Sequence, residues 1–201
     1  EIIEALDFRP NLNARGLITG KTNLLSLMVP ADTEFFTGFY FRGILRGISE
    51  ALTKHSYRLM IFQPAGFEPH KGYAPTLQGI QSDGLFIMAP SVDDRLVKYL
   101  EVHAKLPAVL LSGRSSQLDW VDLDSGRAAL EAVEKLAEMG HRRIAFIGGA
   151  CRDSNTLARL EGYRLVLAKY KIPFDPALVA ASDYRVEGGY GAAKALFSKP
   201  E

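Results

Sequence analysis

The sequence predicts an α/β fold of open parallel sheets, and two observations predict it. Short apolar runs of strand length alternate, from Leu24 onward, with longer stretches whose apolar residues recur at helical spacing. That alternation is the sequence form of strand–helix–strand units, in which each helix carries the chain back across a parallel sheet. Between Phe41 and Leu52, Phe41, Ile44, Leu45, Ile48 and Leu52 fall three or four residues apart. Such spacing gathers them into one stripe only if the segment is helical.

Taken in order, Leu24–Val29 predicts the first strand, stopped by Pro30, and a helix over 38–53 follows it. Strands are expected over 57–62 and 84–89, a helix over 93–105 and a strand over 107–112. Trp120-Val121-Asp122-Leu123 is strand-like. Then come a helix over 125–139, a strand over 143–148, a helix over 156–170, a strand over 178–181 and a helix over 187–197. The stretch 70–82 resists assignment, because Pro75 and its glycines interrupt the helix expected between two strands. Ser198-Lys199-Pro200-Glu201 follows a helix with no later strand, so the chain is expected to stop inside a domain.

Composition narrows the classes. At 201 residues, 47% hydrophobic and 23% charged, the chain has the make-up of an ordinary globular protein with one sizeable core or two small ones. No apolar run approaches the ~18 residues of a membrane span, and the first residues lack a secretion pattern, so a cytoplasmic location is expected. Cys151 is the only cysteine, which excludes an internal disulfide and a cysteine-based metal framework. A net charge of +1 gives no global attraction to nucleic acid, so any such attraction must be local.

Residues 1–22 stand outside the alternation. Ile2, Ile3, Leu6 and Phe8 suit the last turns of a small helical unit, which Phe8-Arg9-Pro10-Asn11 would end. Pro10 disfavours helix at Arg9, and Asn11 is a good cap for a new helix through Asn13, Ala14, Arg15 and Leu17. Arg9, Arg15 and Lys21 have no acidic residue among them, which describes either a solvated basic linker or a nucleic-acid contact.

Phe8-Arg9-Pro10-Asn11 with Ala14 and Leu17 resembles the junction of LacI/GalR-type transcriptional regulators, where a helix-turn-helix head ends and a hinge helix begins. The resemblance continues along the chain. Gly20-Lys21-Thr22 leads into the first strand, Ser82-Asp83-Gly84-Leu85 into a later one, and Gly140-His141-Arg142-Arg143-Ile144-Ala145 is similar to the family's most recognisable string. Arg159, Gly162 and Tyr163 reproduce its Arg-x-x-Gly-Tyr helix. Two stretches depart from it: Ala31 to Thr37 with Gly38-Phe39-Tyr40-Phe41, where the family has a short Asn-Pro-Phe-Phe turn, and the Pro75 region.

The resemblance implies a two-lobed, periplasmic-binding-protein-like (type I) effector core, C-terminally incomplete, with a short helical hinge at its N-terminus. The implied division is 1–10 the remnant of a helix-turn-helix head, 11–22 hinge helix and linker, 23–124 an N-terminal lobe and 125–201 a C-terminal lobe. It implies DNA contacts from Asn11, Ala14, Arg15 and Leu17. Ala14 would let two hinge helices approach in the minor groove, Leu17 would wedge between base pairs, and Arg15 and Lys21 would face phosphates. Gly16 inside that helix costs roughly 1 kcal/mol relative to alanine, which suits a hinge that folds only on DNA.

The resemblance also implies effector contacts from Tyr40, Phe41, Asp124 and Arg159, in a cleft at the C-terminal ends of strands. The residues themselves leave alternatives open. Tyr40 and Phe41 can cover a ligand ring or pack in the core, and Asp124 can accept from ligand hydroxyls or cap the helix that begins at Ser125. Arg159 can grip a ligand through its fork of donors or join a surface ion pair. His141 lacks a second ligand at metal spacing, and Gly148-Gly149 lacks the Gly-Lys-Ser/Thr ending of a phosphate loop.

The expectation is therefore a homodimeric, effector-responsive regulator, a repressor in the first instance, with helix 38–53 at the dimer contact. It would bind operator DNA and a small metabolite, a sugar or sugar derivative, with no cofactor, metal or catalysis. The alternative is a solute-binding protein for sugar transport, which shares the two-lobed fold; a sugar- or nucleotide-using enzyme would need a catalytic constellation that the sequence does not offer.

Overall fold

The computed structural model describes residues 20–30, 36, 38–63, 81–90, 94–103, 106–149 and 153–198. Asn11, Ala14, Arg15 and Leu17, together with the Pro75 stretch and Cys151, lie outside the described residues. The elements in chain order are β1 (Leu24–Met28), α1 (Phe39–Lys54), β2 (Arg58–Phe62), β3 (Gly84–Met88), α2 (Arg95–His103), β4 (Ala108–Leu111) and β5 (Asp119–Val121). They continue with α3 (Ser125–Glu138), β6 (Phe146–Gly148), α4 (Ser154–Lys169), a 3-10 turn over Pro176–Leu178, β7 (Val179–Ala181) and α5 (Val186–Phe197). The expected alternation is present among the described residues, with two differences: β4 passes to β5 with no helix between them, and β6 begins at Phe146 where a strand from Arg143 is expected.

The chain forms two compact units. One holds the residues up to Met88 with Leu96–Leu110 and Gln117–Asp119; the other holds Ala89–Arg95, Leu111–Ser116 and the chain from Trp120 onward. The first is built on a five-stranded sheet in the order β2-β1-β3-β4-β5. Here β1 is parallel to β2, with Leu24 beside Arg58 and Met28 beside Phe62, and parallel to β3, with Leu25 beside Gly84. Met28, Leu85, Ile87, Leu96, Val97, Leu100, Ala108 and Leu110 make one buried cluster, in which the apolar stripe of α2 covers strands β1, β3 and β4. The stripe of α1 buries chiefly Phe41 and Leu52.

The Ser82-Asp83-Gly84 string has a physical reason. Asp83 Oδ1 accepts from the Thr22 amide at 2.7 Å and the Thr22 hydroxyl at 2.8 Å, and Oδ2 from the Asn23 amide at 3.0 Å, which pins the start of β1 to the start of β3. A Cβ at Gly84 would stand 3.0 Å from Leu25 Cδ2 and 3.4 Å from the Pro107 carbonyl oxygen, a tight fit that the end of the Leu25 side chain must relieve by a few tenths of an ångström. Burial pulls the Asp83 carboxyl upward, but hydrogen bonds from Thr22, Asn23 and Tyr57 outweigh it and hold the group below its ordinary value of 3.8. A depressed folded-state value contributes stability that is present above the unfolded value and lost as pH falls through the folded one. Asp83→Asn places an amide donor against the Asn23 amide, so the variant is expected to be less stable than the parent at neutral pH. Denaturant unfolding at a series of pH values should show the difference shrinking below about pH 4; a gap independent of pH would contradict the assignment.

Three helices end in the same way. At α3, His141 N–H donates to Leu136 O and Gly140 N–H to Ala137 O, with Gly140 at φ +94°. This Schellman arrangement needs a left-handed residue, for which glycine carries no Cβ penalty. Arg142 Nη1 adds a bond to Ala137 O at 2.9 Å, so the Gly-His-Arg string works as a helix stop. The ends of α1 and α4 repeat the pattern with Ser56 at φ +58° and Lys171 at φ +54° in the left-handed position.

The second unit pairs β6 with β7 in parallel, Phe146 beside Val179 and Gly148 beside Ala181, among the described residues. Its core joins Val133, Ala137, Ile144, Tyr163, Val166, Leu167 and Ile172. Helices α3 and α4 pack closely there. A Cβ on Gly162 would stand 2.4 Å from Gly126 O and 3.1 Å from Leu130 N, so only glycine allows the approach. Tyr163, one residue on, is 1% exposed and donates its hydroxyl to Ile144 O at 2.9 Å. Burial, and then the charge of Asp175, push that phenol upward, which keeps it a donor.

Candidate ligand-binding site

At the C-terminal ends of β6 and β7 the second unit has a cavity of about 250 Å³. Its position follows from parallel pairing, because neighbouring strands that run the same way end together and the loops leaving them diverge around a crevice. Ser182 N–H donates to Gly148 O at 2.7 Å, one step beyond the ladder, and closes the floor. The side chains that give the cavity its polarity are Thr156, Arg159, Ser182, Tyr184 and Arg185.

Each is positioned by local chemistry. Asp153 caps α4, its carboxylate accepting from the amides of Asn155 at 3.1 Å and Thr156 at 3.3 Å, so the helix starts at Ser154, two residues before the expected start. The Thr156 and Tyr184 hydroxyls both stand within hydrogen-bond reach of the same carboxylate, Thr156 at 3.0 Å, and of each other at 2.6 Å; with one proton apiece they donate in two of these three contacts at a time. Tyr184 sits at φ +65°, a left-handed conformation uncommon for a bulky residue and found where the surroundings hold it in place. Its ring lies where a Cβ on Gly149 would be, 2.1 Å from Tyr184 Cζ, so Gly149 is the platform under an aromatic ring. Burial first, and then the bond to Asp153, push the Tyr184 phenol upward.

Arg159 lies one turn further along α4. It is half-buried, and among the described residues its guanidinium donates to Ser125 Oγ at 3.3 Å and to no carboxylate. Among the described residues no ion pair forms, and most of the fork has no partner there.

Of the other expected effector contacts, Asp124 is exposed, caps α3 by accepting from the Arg127 amide at 3.0 Å, and is not among the residues lining this cavity. Phe41 is 4% exposed and packs edge-to-face on Phe36 with ring centres 5.1 Å apart, which is core packing. Tyr40 is 43% exposed on α1. Both belong to the first unit. The residues that sequence reasoning missed are Thr156, Arg185, Ser182 and Tyr184. A signal for the last two existed, since Ser182-Asp183-Tyr184 directly follows an expected strand, where parallel sheets place their ligand contacts.

No group of three His, Cys, Asp or Glu suited to a metal occurs among the described residues, and none of their helices is long and apolar enough to cross a membrane. Parallel strands with a polar crevice at their ends define a ligand-binding α/β core. Residues 22–201 match the profile described as periplasmic binding proteins and sugar binding domain of LacI family, and the chain belongs to that family. The chain is 32% identical over 199 residues to the HTH-type transcriptional regulator MalR of Streptococcus pneumoniae, covering 97% of this chain and 60% of that protein. It is 29% identical over 207 residues to the catabolite control protein A of Priestia megaterium, covering all of this chain and 60% of that protein. Among solved structures, the complex of the transcriptional regulator CelR with cellobiose superposes with a TM-score of 0.76 at 27% identity, covering 97% of this chain and 58% of the other. The chain thus spans about 60% of the length of the relatives it matches.

Proposed function

We propose that the protein is an effector-responsive DNA-binding transcriptional regulator, a repressor of sugar genes, that senses a small sugar or sugar derivative and catalyses nothing. The observation that carries this is the Arg159 cavity: a crevice at parallel strand ends with a largely unspent guanidinium, in a chain whose relatives include MalR and the cellobiose-bound CelR. The protein works in the cytoplasm as a homodimer. Helix α1, on which Phe39 stands 86% exposed, supplies part of the dimer contact. Asn11 to Leu17 forms the hinge helix that pairs with its twin in the operator minor groove, and residues 23–124 and 125–201 are the two lobes of the sensor.

Effector occupancy acts by biasing that pairing, a coupling of typically 5- to 150-fold between sites. Fluorescence anisotropy of the intact protein on its selected operator, with and without cellobiose, maltose and their monosaccharide phosphates, is expected to show an affinity change of at least about fivefold with one of them. No change with any of them would overturn the sensor function. Leu17→Asn removes the apolar wedge and is expected to weaken operator binding by about tenfold or more, the equivalent of 1.4 kcal/mol, without altering effector affinity. Equal operator affinity would remove the minor-groove role.

A further inference from the structure

We propose that Tyr184 is a positioning residue: its hydroxyl, held by Asp153 and Thr156, ties the β7–α5 loop to the capped end of α4. The tie fixes the two walls of the crevice relative to one another before anything enters it. What that does for an effector rests on the sensor function proposed above; the tie itself does not. One wall is α4, with Thr156 and Arg159, and the other is the loop that carries Ser182 and Arg185. Each wall has its own anchor. Asp153 caps α4 through the amides of Asn155 and Thr156. In the loop, Asp183 accepts from the Arg185 amide at 3.0 Å directly ahead of α5, and Ser182 N–H donates to Gly148 O at 2.7 Å. Tyr184 stands between those two anchors and reaches across, meeting residues 28 and 31 positions away in sequence.

Packing does not explain where this side chain lies. Tyr184 is 61% exposed, and its backbone is at φ +65°, a conformation that costs a bulky residue energy and persists only where the surroundings impose it. A ring so exposed gains too little from burial to impose it. The partners that hold it are polar and sit at the far end of the ring: the Asp153 carboxylate, and the Thr156 hydroxyl at 2.6 Å. A phenol is the most acidic of these neutral donors and the carboxylate the strongest acceptor, so Tyr184 donates to Asp153, a charge-assisted bond about twice as strong as a neutral one. Gly149 makes the reach possible, because a Cβ there would stand 2.1 Å from Tyr184 Cζ. Burial first, and then the bond to Asp153, raise the phenol against the opposing pull of Thr156 and Arg159, which keeps it a donor. A crevice shaped in this way in the free protein spares an incoming ligand the ordering of two loops.

Hydrogen exchange of the intact protein, followed by mass spectrometry with no sugar present, tests the tie. Tyr184→Phe keeps the ring and removes the hydroxyl. Segments 153–157 and 182–187 are expected to exchange together at least about tenfold faster than in the parent, with α3 unchanged. Gly149→Ala keeps the hydroxyl but pushes the ring off its seat, and the same two segments should loosen. Asp153→Ser retains a good helix cap and removes the charged acceptor, so on that background Tyr184→Phe should add no further acceleration. An ultraviolet difference titration gives a readout that general loosening does not move. The phenol missing from Tyr184→Phe is expected to titrate above its ordinary value of 10.0 in the parent and to fall in Asp153→Ser. Thermal melts establish that all the variants fold. Unchanged exchange in Tyr184→Phe, loosening confined to one of the two segments, a full further effect on the Asp153→Ser background, or a phenol at its ordinary value would each overturn the tie. Because no sugar is present, none of these outcomes bears on the sensor function, which stands or falls on the operator measurement.

Discussion

Gly162→Ala is expected to destabilise the protein by about 2 kcal/mol, although alanine is the better helix former by roughly 1 kcal/mol. The added methyl would stand 2.4 Å from Gly126 O on the facing helix and 3.1 Å from Leu130 N. Both are backbone atoms, so no side chain can rotate away; α3 and α4 must separate, and with them the contacts of Tyr163, Val166 and Val133 in the core. Gly191→Ala is the internal control. It lies inside α5 with nothing within 4 Å of its Cβ position, so there the propensity term acts alone and stabilises by up to about 1 kcal/mol. Chemical denaturation of the two variants should therefore move in opposite directions. A neutral or stabilising Gly162→Ala would mean that the helices do not approach as described.

Removing the Arg159 side chain should separate binding from stability. Charge-assisted hydrogen bonds are each worth about 1.5–3 kcal/mol, so Arg159→Ala is expected to weaken effector binding by about 10- to 100-fold. The fold loses only the 3.3 Å bond to Ser125 Oγ and no ion pair among the described residues. The unfolding free energy should therefore stay within about 0.5 kcal/mol of the parent, or rise, since functional side chains are often held at some cost to stability. Calorimetric titration with the cognate effector and a denaturant melt on the same preparation check both halves. A large loss of stability with unchanged affinity would make Arg159 a structural residue of α4.

Much of the architecture is legible in the chain because its causes are local. The β/α alternation, the stripe from Phe41 to Leu52 and the stop at Gly140 arise from hydrophobic period and from the left-handed freedom of glycine, which neighbouring residues alone display. Arg159, Gly162 and Tyr163 are visible as a string, yet their division of labour is not. One faces the cavity, one lets two helices touch, and one bonds the carbonyl of Ile144 from inside the core. The ends of α1 and α4 are hidden for a different reason: Ser56 and Lys171 adopt positive φ without being glycine, under the constraint of helix-end hydrogen bonds.

What the residues by themselves determined is the alternation of elements, the family to which they belong, and Arg159 as the side chain to watch, since period, string and guanidinium chemistry are all written in one dimension. Tertiary structure alone decided that Phe41 is packed in a core. It alone brought Tyr184 onto Gly149 and against Asp153. The Tyr184 contacts exist only once β7 lies beside β6, because a carboxylate takes whichever donors the folded backbone brings near it, and residues some thirty apart in sequence meet only when parallel strands end together.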